Sequence, residues 1–352
     1  MGIDEEIVNA VTSLDVARAA GVSQSTVSYV MSGNRPISAE TRDRVLAAME
    51  QLRYQPHAGA RALAGRRTNV IGLVVPFRTA EPSGSMPFIQ TIAEVARSRD
   101  HDVLLITADE GSAGLKRLAG RALCDGIVLM AVEADDERIP VAASIEVPVV
   151  LVGIPDDRAG LYCVDVDFAQ AARTAVQELA RTGHDRVTVI GYPAALTERR
   201  INFVHRFIDS AEESARRLGL PLEVLVPAEP EREAVAAVVD LLLAGDRGQR
   251  PGLIVPRTEL IQPLLHALAA RGVRPGSDIT VIGHCTNEAA EKCEPPVTNV
   301  SLEPRVVSQR AMETLFWLLD PVPGVPPQQV SLIPATLTHR STTMISPGGD
   351  QR

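Results

Sequence analysis

The chain has 352 residues, a formal net charge of −9 and an aromatic content of only 3%. Its length exceeds that of one ordinary domain, so we expect two or three hydrophobic cores. No apolar run approaches the roughly 20 residues of a membrane span, and the acidic start at residues 1–6 lacks the basic and apolar regions of a signal peptide. Four scattered cysteines form no paired framework, which is typical of a protein in the reducing cytoplasm.

The charge is divided unevenly along the chain. Residues 11–67 contain eight arginines and four acidic residues, whereas residues 68–352 contain 27 basic and 37 acidic residues. A basic segment on an acidic body favours contact with a polyanion at one end of the protein only. Arg66 and Arg67, which end the basic segment, fit phosphate contacts and solvated linker charges equally well.

The residues after position 10 predict two short helices joined by a tight turn. Thr12 is placed to cap the first helix, with Asp15 three residues further on, and Gly21 suits the left-handed or open backbone at its end. Ser23 is placed to cap the second helix. Apolar residues at helical spacing predict one shared buried face, and they are Val16, Ala17, Ala20, Val27 and Val30.

The outward face of the second helix is polar and has no acidic residue. Its hydrogen-bonding side chains are Gln24, Ser25, Thr26, Ser28 and Tyr29. They lie close to the N-terminus of the helix, which attracts phosphate. A helix-turn-helix presents such a face to the DNA major groove, where base edges display readable donors and acceptors. On these residues alone, an ordinary helical hairpin with a polar face is the alternative.

A third helix and a linker complete this segment. Ser38 is placed to cap the helix, Ala39 to Leu52, and Pro56 prevents its continuation. The motifs run Val-Ala-x-x-Ala-Gly-Val-Ser-x-x-Thr-Val-Ser, then Ser-x-x-Thr-Arg, Arg-Tyr-x-Pro and Ala-x-x-Leu-Ala. Over about sixty residues the segment resembles the headpiece of the LacI family of bacterial repressors. The predicted boundaries are a disordered extension at 1–10, a helix-turn-helix headpiece at 11–53, and a hinge helix with linker at 54–68.

The resemblance implies which side chains contact DNA. Two hinge helices would pack together over the minor groove, where Leu63 would wedge between base pairs and kink the duplex. A plain contact of Leu63 with the body is the alternative. Tyr29 and Ser32 stand where many relatives carry Arg and Asn, which implies a different operator sequence. The predicted DNA contacts are Thr12, Ser23, Gln24, Ser25, Thr26, Ser28, Tyr29, Ser32, Tyr54, His57, Ala60, Arg61, Leu63 and Ala64.

From residue 69 the pattern changes to apolar strands separated by helices. Continuous apolar runs such as Val70–Val75 and Gly126–Met130 indicate parallel sheets covered on both faces. We therefore predict an all-α headpiece followed by an α/β body of two doubly wound lobes, and the resemblance adds a periplasmic-binding-protein-like connectivity. Within this effector-binding and dimerisation body, at 69–340, the predicted boundaries are 69–165 and 299–327 for lobe 1, 166–298 and 328–340 for lobe 2, and 341–352 for a flexible tail.

The resemblance also places a small-molecule effector in the cleft between the lobes. Few aromatic residues argue against a neutral sugar, and Arg199, which matches the family's cleft arginine, would suit an anionic ligand together with Arg257. A regulator without small-molecule control is the alternative. The candidate cleft residues are Phe77, Phe88, Arg199, Thr258, His284 and Cys285.

Two other classes of protein are weighed against this interpretation. An enzyme with a thiol or metal centre at His284, Cys285 and Cys293 lacks paired ligand spacing, and the chain has no phosphate loop or hydrolase motif. A free solute-binding protein would not carry a headpiece. We therefore predict a non-enzymatic cytoplasmic repressor, with no cofactor, metal or membrane partner.

Because two headpieces related by a twofold axis read a pseudo-palindromic operator in double-stranded DNA, we also predict a homodimer.

Overall fold

The computed structural model describes residues 11–32, 35–54, 67–75, 82–227, 232–244 and 251–343. Within these ranges the chain forms a three-helix headpiece and a body that contains two six-stranded sheets. The fold class predicted from the sequence is therefore confirmed. In the described ranges, no helix combines the length and the apolar character that crossing a membrane requires.

The headpiece helices are α1 (Ser13–Ala20), α2 (Gln24–Ser32) and α3 (Ala39–Gln51). The predicted caps are present. The Asp15 N–H donates to the Thr12 hydroxyl at 3.4 Å, and the Thr12 N–H donates to the Asp15 carboxylate at 2.9 Å. The Thr26 N–H donates to the Ser23 hydroxyl at 3.1 Å at the start of α2. Gly21 has a φ of +64°, a backbone conformation in which other residues are strained.

The headpiece core includes Tyr54, one of the predicted DNA contacts. After α3, Arg53 adopts a φ of +49° and turns the chain back, so that the Tyr54 N–H donates to the Met49 carbonyl at 2.9 Å. The Tyr54 side chain is only 6% exposed and packs with Val16 and Val27. Burial of this large ring stabilises the small headpiece core, and the predicted contact of Tyr54 with DNA stays a prediction.

The first sheet forms lobe 1. Its strands are β1 (Val70–Val75), β2 (Asp102–Thr107), β3 (Gly126–Met130), β4 (Val149–Val152), β5 (Tyr162–Val166) and β11 (Val330–Ile333). They lie in the order β11-β5-β4-β3-β1-β2, and neighbouring strands are parallel. The helices of this lobe are α4 (Pro82–Ser98), α5 (Gly111–Gly120), α6 (Ile139–Ser144) and α13 (Pro304–Leu319).

The second sheet forms lobe 2. Its strands are β6 (Arg186–Ile190), β7 (Leu222–Leu225), β8 (Pro251–Val255), β9 (Thr280–Cys285), β10 (Thr298–Ser301) and β12 (Leu337–Thr338). They lie in the order β12-β10-β9-β8-β6-β7, with only β12 antiparallel to its neighbour. The helices are α7 (Phe168–Arg181), α8 (Ala194–Glu198), α9 (Asn202–Arg217), α10 (Arg232–Leu243), α11 (Thr258–Ala269) and α12 (Asn287–Lys292).

Two of the predicted boundaries between the lobes are displaced. Because β10 pairs with β9, residues 298–301 belong to lobe 2, and the chain leaves that lobe after them rather than before residue 299. Because β11 pairs with β5, residues 330–333 belong to lobe 1, and the chain returns to lobe 2 after them rather than before residue 328. The predicted lobe boundaries at 299 and 328 are therefore wrong, because strand pairing and not composition decides which sheet a four-residue strand joins.

The start of the predicted tail is part of lobe 2. The Val281 N–H donates to the Thr342 carbonyl at 2.9 Å, and the Thr342 hydroxyl donates to the Val281 carbonyl at 2.7 Å. The same hydroxyl accepts from the Thr298 N–H at 2.9 Å. Thr342 is completely buried, so residues 341–343 belong to the folded body and the predicted tail boundary is corrected.

Candidate nucleic-acid interface and inter-lobe cleft

The N-terminus of α2 carries an ordered group of polar side chains. The Ser23 hydroxyl lies 2.8 Å from both the Ser25 and the Thr26 hydroxyls. The Gln24 amide donates to the Ser13 hydroxyl of α1 at 2.9 Å. These bonds hold the outward groups in place before any partner binds, which lowers the entropy that binding must overcome.

The predicted DNA contacts of the headpiece differ in their exposure to solvent. Four of the predicted DNA contacts are exposed, namely Thr12, Ser23, Gln24 and Ser25, and three are half-buried, namely Thr26, Ser28 and Tyr29. Ser32 is the last residue of α2. The predicted linker contacts His57, Ala60, Arg61, Leu63 and Ala64 lie outside the described residues.

Arg35 is a candidate DNA contact that the sequence reasoning missed. Its guanidinium lies over the Tyr29 ring, 5.1 Å from the ring centroid, and the residue is exposed. α2 has no basic residue in its last turn, so Arg35 adds a positive charge beside the polar face. The sequence contained a signal for this residue, because Arg35 is the sole arginine between positions 18 and 42.

A latch joins the two lobes across the cleft. Residues 132–134 of lobe 1 run antiparallel to residues 200–202 of lobe 2, with backbone hydrogen bonds of 2.9 and 3.3 Å between them. The Arg199 guanidinium beside this bridge donates two hydrogen bonds to Glu133 Oε1, at 2.8 and 2.6 Å. We call these segments, 132–134 and 199–202, the inter-lobe latch. It ties the two lobes together and neutralises the predicted cleft arginine.

A buried ion pair supports the lobe 1 side of the latch. The Asp136 carboxylate accepts from the Glu133 N–H at 3.1 Å and from Arg138 Nε and Nη2 at 2.8 and 2.6 Å. Arg138 also donates to the Ala131 carbonyl at 2.8 Å. Burial alone would raise the pKa of Asp136, but the hydrogen bonds and charge of Arg138 outweigh burial and lower it. The carboxylate therefore stays charged and fixes the backbone of Glu133.

A second ion pair joins the lobes where β5 leads into α7. Arg206 of α9 donates to the Asp165 carboxylate of β5 at 2.7 Å and to the Val166 carbonyl at 3.3 Å. Burial raises the pKa of Asp165 to about 7, against the opposing effect of the Arg206 charge. Arg206 also lies 6.0 Å from the centroid of the Phe168 ring, so one side chain contacts both lobes at this crossing.

His284 and Cys285 point to opposite faces of β9, since successive strand side chains alternate. His284 is 2% exposed, stacks on Phe207 at 5.4 Å and meets Phe168 edge-on at 5.3 Å. Burial lowers the pKa of His284 to about 4, so the ring is neutral. Cys285 is fully buried in the other core of lobe 2. The prediction that Cys285 lines the cleft is therefore wrong.

Three sequence profiles match the chain. "Bacterial regulatory proteins, lacI family" matches residues 12–57, and "Periplasmic binding proteins and sugar binding domain of LacI family" matches residues 68–216. "Periplasmic binding protein-like domain" matches residues 176–343. The chain belongs to the LacI family. As a LacI-family protein it is a DNA-binding transcriptional regulator and not an enzyme.

Curated LacI-family relatives align along most of the chain. Catabolite control protein A of Priestia megaterium is 27% identical over 297 residues, which are 82% of this chain and 87% of the relative. The lactose operon repressor of Escherichia coli (strain K12) is 24% identical over 342 residues, 95% of this chain and 91% of the relative. The solved lac repressor dimer bound to operator and the anti-inducer ONPF has the same fold, with a TM-score of 0.81 at 21% identity, and covers 96% of this chain and 100% of its own.

The other candidate cleft residues do not gather at one place among the described residues. Arg257 donates to Glu259 at 2.6 Å, and Thr258 is exposed at the start of α11. Phe88 is half-buried on α4, and Phe77 lies outside the described residues. Sequence reasoning missed Glu133, although a polar residue just beyond the carboxyl end of a parallel strand is a typical ligand-site position. Among the described residues, no group of His, Cys, Asp and Glu is arranged to hold a metal.

Proposed function

We propose that the protein is a transcriptional repressor that binds a pseudo-palindromic, double-stranded operator as a homodimer in the cytoplasm. The outward face of α2 carries this proposal, because it offers hydroxyl and amide groups beside a helix N-terminus and no acidic side chain. One nine-residue helix reads few base pairs, so a specific site requires two copies related by a twofold axis. The test is a mobility-shift titration with promoter fragments at rising salt, in which steep loss of affinity is expected.

Exposed apolar side chains on both lobes support the dimer. Leu105 of β2 is 46% exposed, and Val224 of β7 and the following Val226 are 37% and 46% exposed. β2 and β7 are the equivalent edges of the two sheets, and apolar edge strands require cover. A second copy along this side would cover both lobes. Sedimentation velocity should show a dimer, and a monomer at working concentrations would contradict this part of the proposal.

We also propose that a small molecule in the inter-lobe cleft controls operator affinity by shifting how the two lobes close. The expected preference for an anion loses its support, because Glu133 and Glu259 already neutralise Arg199 and Arg257. A thermal-shift screen of sugars, sugar phosphates and carboxylates would identify the class, since a ligand of the folded state raises Tm. If no ligand raises Tm or changes operator affinity, small-molecule control is ruled out.

Arg35→Gln should weaken binding to every duplex rather than change base preference, because contacts to phosphate carry no sequence information. The slope of log affinity against log salt concentration should fall by about 1. Anisotropy titrations of an operator and a random duplex at several salt concentrations measure both effects. Arg274→Gln, in the body, is the matched control, and an unchanged slope for Arg35→Gln would show that Arg35 does not contact phosphate.

Leu63→Ala should weaken operator binding more than nonspecific binding, by about 1–3 kcal/mol, if the side chain unstacks a base step in the minor groove. The same titrations on operator and random duplexes give the difference. Equal loss on both duplexes would show that Leu63 is not a wedge and would favour a plain contact with the body.

A further inference from the structure

Where the described chain enters the body, a buried carboxylate holds its backbone. The Thr68 N–H and hydroxyl both donate to Asp125 Oδ1, at 2.7 and 2.8 Å, and the Asn69 N–H donates to Oδ2 at 2.8 Å. The Asp125 side chain is only 7% exposed. The body therefore holds the chain at residues 68–69, the last residue of the predicted linker and the first of the predicted body.

Arg67 forms a second and more exposed anchor. Its Nη1 and Nη2 donate to the two carboxylate oxygens of Asp320, each at 2.6 Å, and Nη2 also donates to the Leu319 carbonyl at 3.0 Å. Leu319 is the last residue of α13, so the guanidinium also binds the negative end of the helix dipole. Bidentate pairing fixes direction as well as distance.

α13 connects this anchor to a crossing between the lobes. The helix has 16 residues and begins at Pro304, three positions after the last residue of β10 in lobe 2. It is packed tightly in lobe 1, since a Cβ on Gly126 would lie 2.9 Å from the Leu315 side chain. Its Phe316 ring meets His101 edge-on at 5.0 Å. One end of this rigid element therefore adjoins lobe 2, and the other end holds the chain that leads to the headpiece.

We propose that Arg67 and Asp320 are positioning residues that set the direction of the linker toward DNA, and that Arg67 does not itself contact phosphate. This inference rests on the proposed operator binding by two headpieces. A linker held in one direction loses less conformational freedom when two headpieces dock together. The Asp320 carboxylate and the Leu319 carbonyl take three of the five N–H donors of the guanidinium and Asp320 neutralises its charge, so a phosphate would have to compete with a formed ion pair.

Asp320→Asn and Arg67→Gln in the full-length protein test the pair. Anisotropy titrations use an operator duplex selected with the wild-type protein and a random duplex of the same length. Each variant should weaken operator binding by about three- to fivefold, the upper part of the range for an exposed ion pair, and leave binding to the random duplex within about twofold. The double variant should lose no more than either single variant, because both remove one contact.

Two controls separate positioning from other roles. Asp278→Asn breaks a second exposed Arg–Asp pair, with Arg274, and should leave operator affinity unchanged. Arg67→Lys keeps the charge but not the bidentate pairing, so it should lose operator affinity as Arg67→Gln does. Melting temperatures near that of the wild type would confirm that the variants are folded.

Three results would overturn the inference. If Arg67 contacts phosphate, Asp320→Asn frees its guanidinium and strengthens operator binding, while Arg67→Gln weakens both duplexes and lowers the salt slope by about 1. No change in operator affinity for Asp320→Asn, or full operator affinity for Arg67→Lys, also contradicts it. A wild-type protein that prefers no duplex would instead overturn the proposed function itself.

Discussion

Arg138→Leu should lower the free energy of unfolding of lobe 1 by about 3–5 kcal/mol, the cost of leaving one partner of a buried ion pair unpaired. The side chains of Arg138 and Asp136 are only 6% and 2% exposed. Asp136 would keep its charge in an apolar site or take up a proton, and either result destabilises the folded state. Denaturant titrations followed by Trp317 fluorescence measure the change, because the only tryptophan lies on α13 of lobe 1.

The matched control is Arg274→Leu, which breaks the exposed pair with Asp278 and should change stability little. The effect of Arg138→Leu should also depend on pH. Because the folded-state pKa of Asp136 is lowered, the pair stabilises above the ordinary aspartate pKa, and this stabilisation is lost as pH falls through the folded value. A loss equal to that of Arg274→Leu would contradict the description of the pair as buried and charged.

His284→Phe should make the protein less sensitive to acid. The folded pKa of His284 is about 4, below the ordinary histidine pKa of 6.5, because burial disfavours the charged ring. Between these values the unfolded chain binds a proton that the folded chain does not, so His284 destabilises the wild type progressively as pH falls. The variant, which keeps the ring cluster, should gain about 1.4 kcal/mol relative to the wild type per pH unit, and at most about 3 kcal/mol by pH 4.

The comparison must be made as a difference between variant and wild type. Asp165, with a folded pKa of about 7, has the opposite dependence, because its stability contribution falls as pH rises toward that value. It is present in both proteins and cancels in the difference. Urea unfolding followed by circular dichroism from pH 4.5 to 8 gives the curves. Phe207→Leu is the control, because it changes a ring that contacts His284 but removes no titrating group. Its curve of unfolding free energy against pH should run parallel to that of the wild type. A parallel curve for His284→Phe would contradict a buried neutral histidine.

The headpiece could be predicted from local chemistry. Its helix caps at Thr12 and Ser23, and the positive φ of Gly21, involve residues only a few positions apart. Such local features can be predicted from the order of the residues. The inward face at Val16 and Val27 follows from helical spacing. Tyr54 escaped this reasoning because its burial depends on a backward turn at Arg53, which no periodicity indicates.

Features of the body that depend on partners distant in the sequence could not be predicted. The strand Tyr162–Val166 was not predicted, because Asp165 interrupts its apolar run, and its charged partner is Arg206, 41 positions away. Glu133 and Arg199 are separated by 66 positions. Arg199 of lobe 2 is paired with Glu133 of lobe 1, so it is not free to bind a ligand. Composition and spacing do not reveal such a pairing between lobes.

The central claim is that two copies of the headpiece read one pseudo-palindromic site. It is tested most directly by selecting genomic fragments with the full-length wild-type protein, followed by sedimentation of the complex with the enriched duplex. The account predicts an inverted repeat, two chains on each duplex, and affinity that falls steeply as salt rises. Enrichment of no common sequence at low salt, or one chain bound to an asymmetric site, would contradict it.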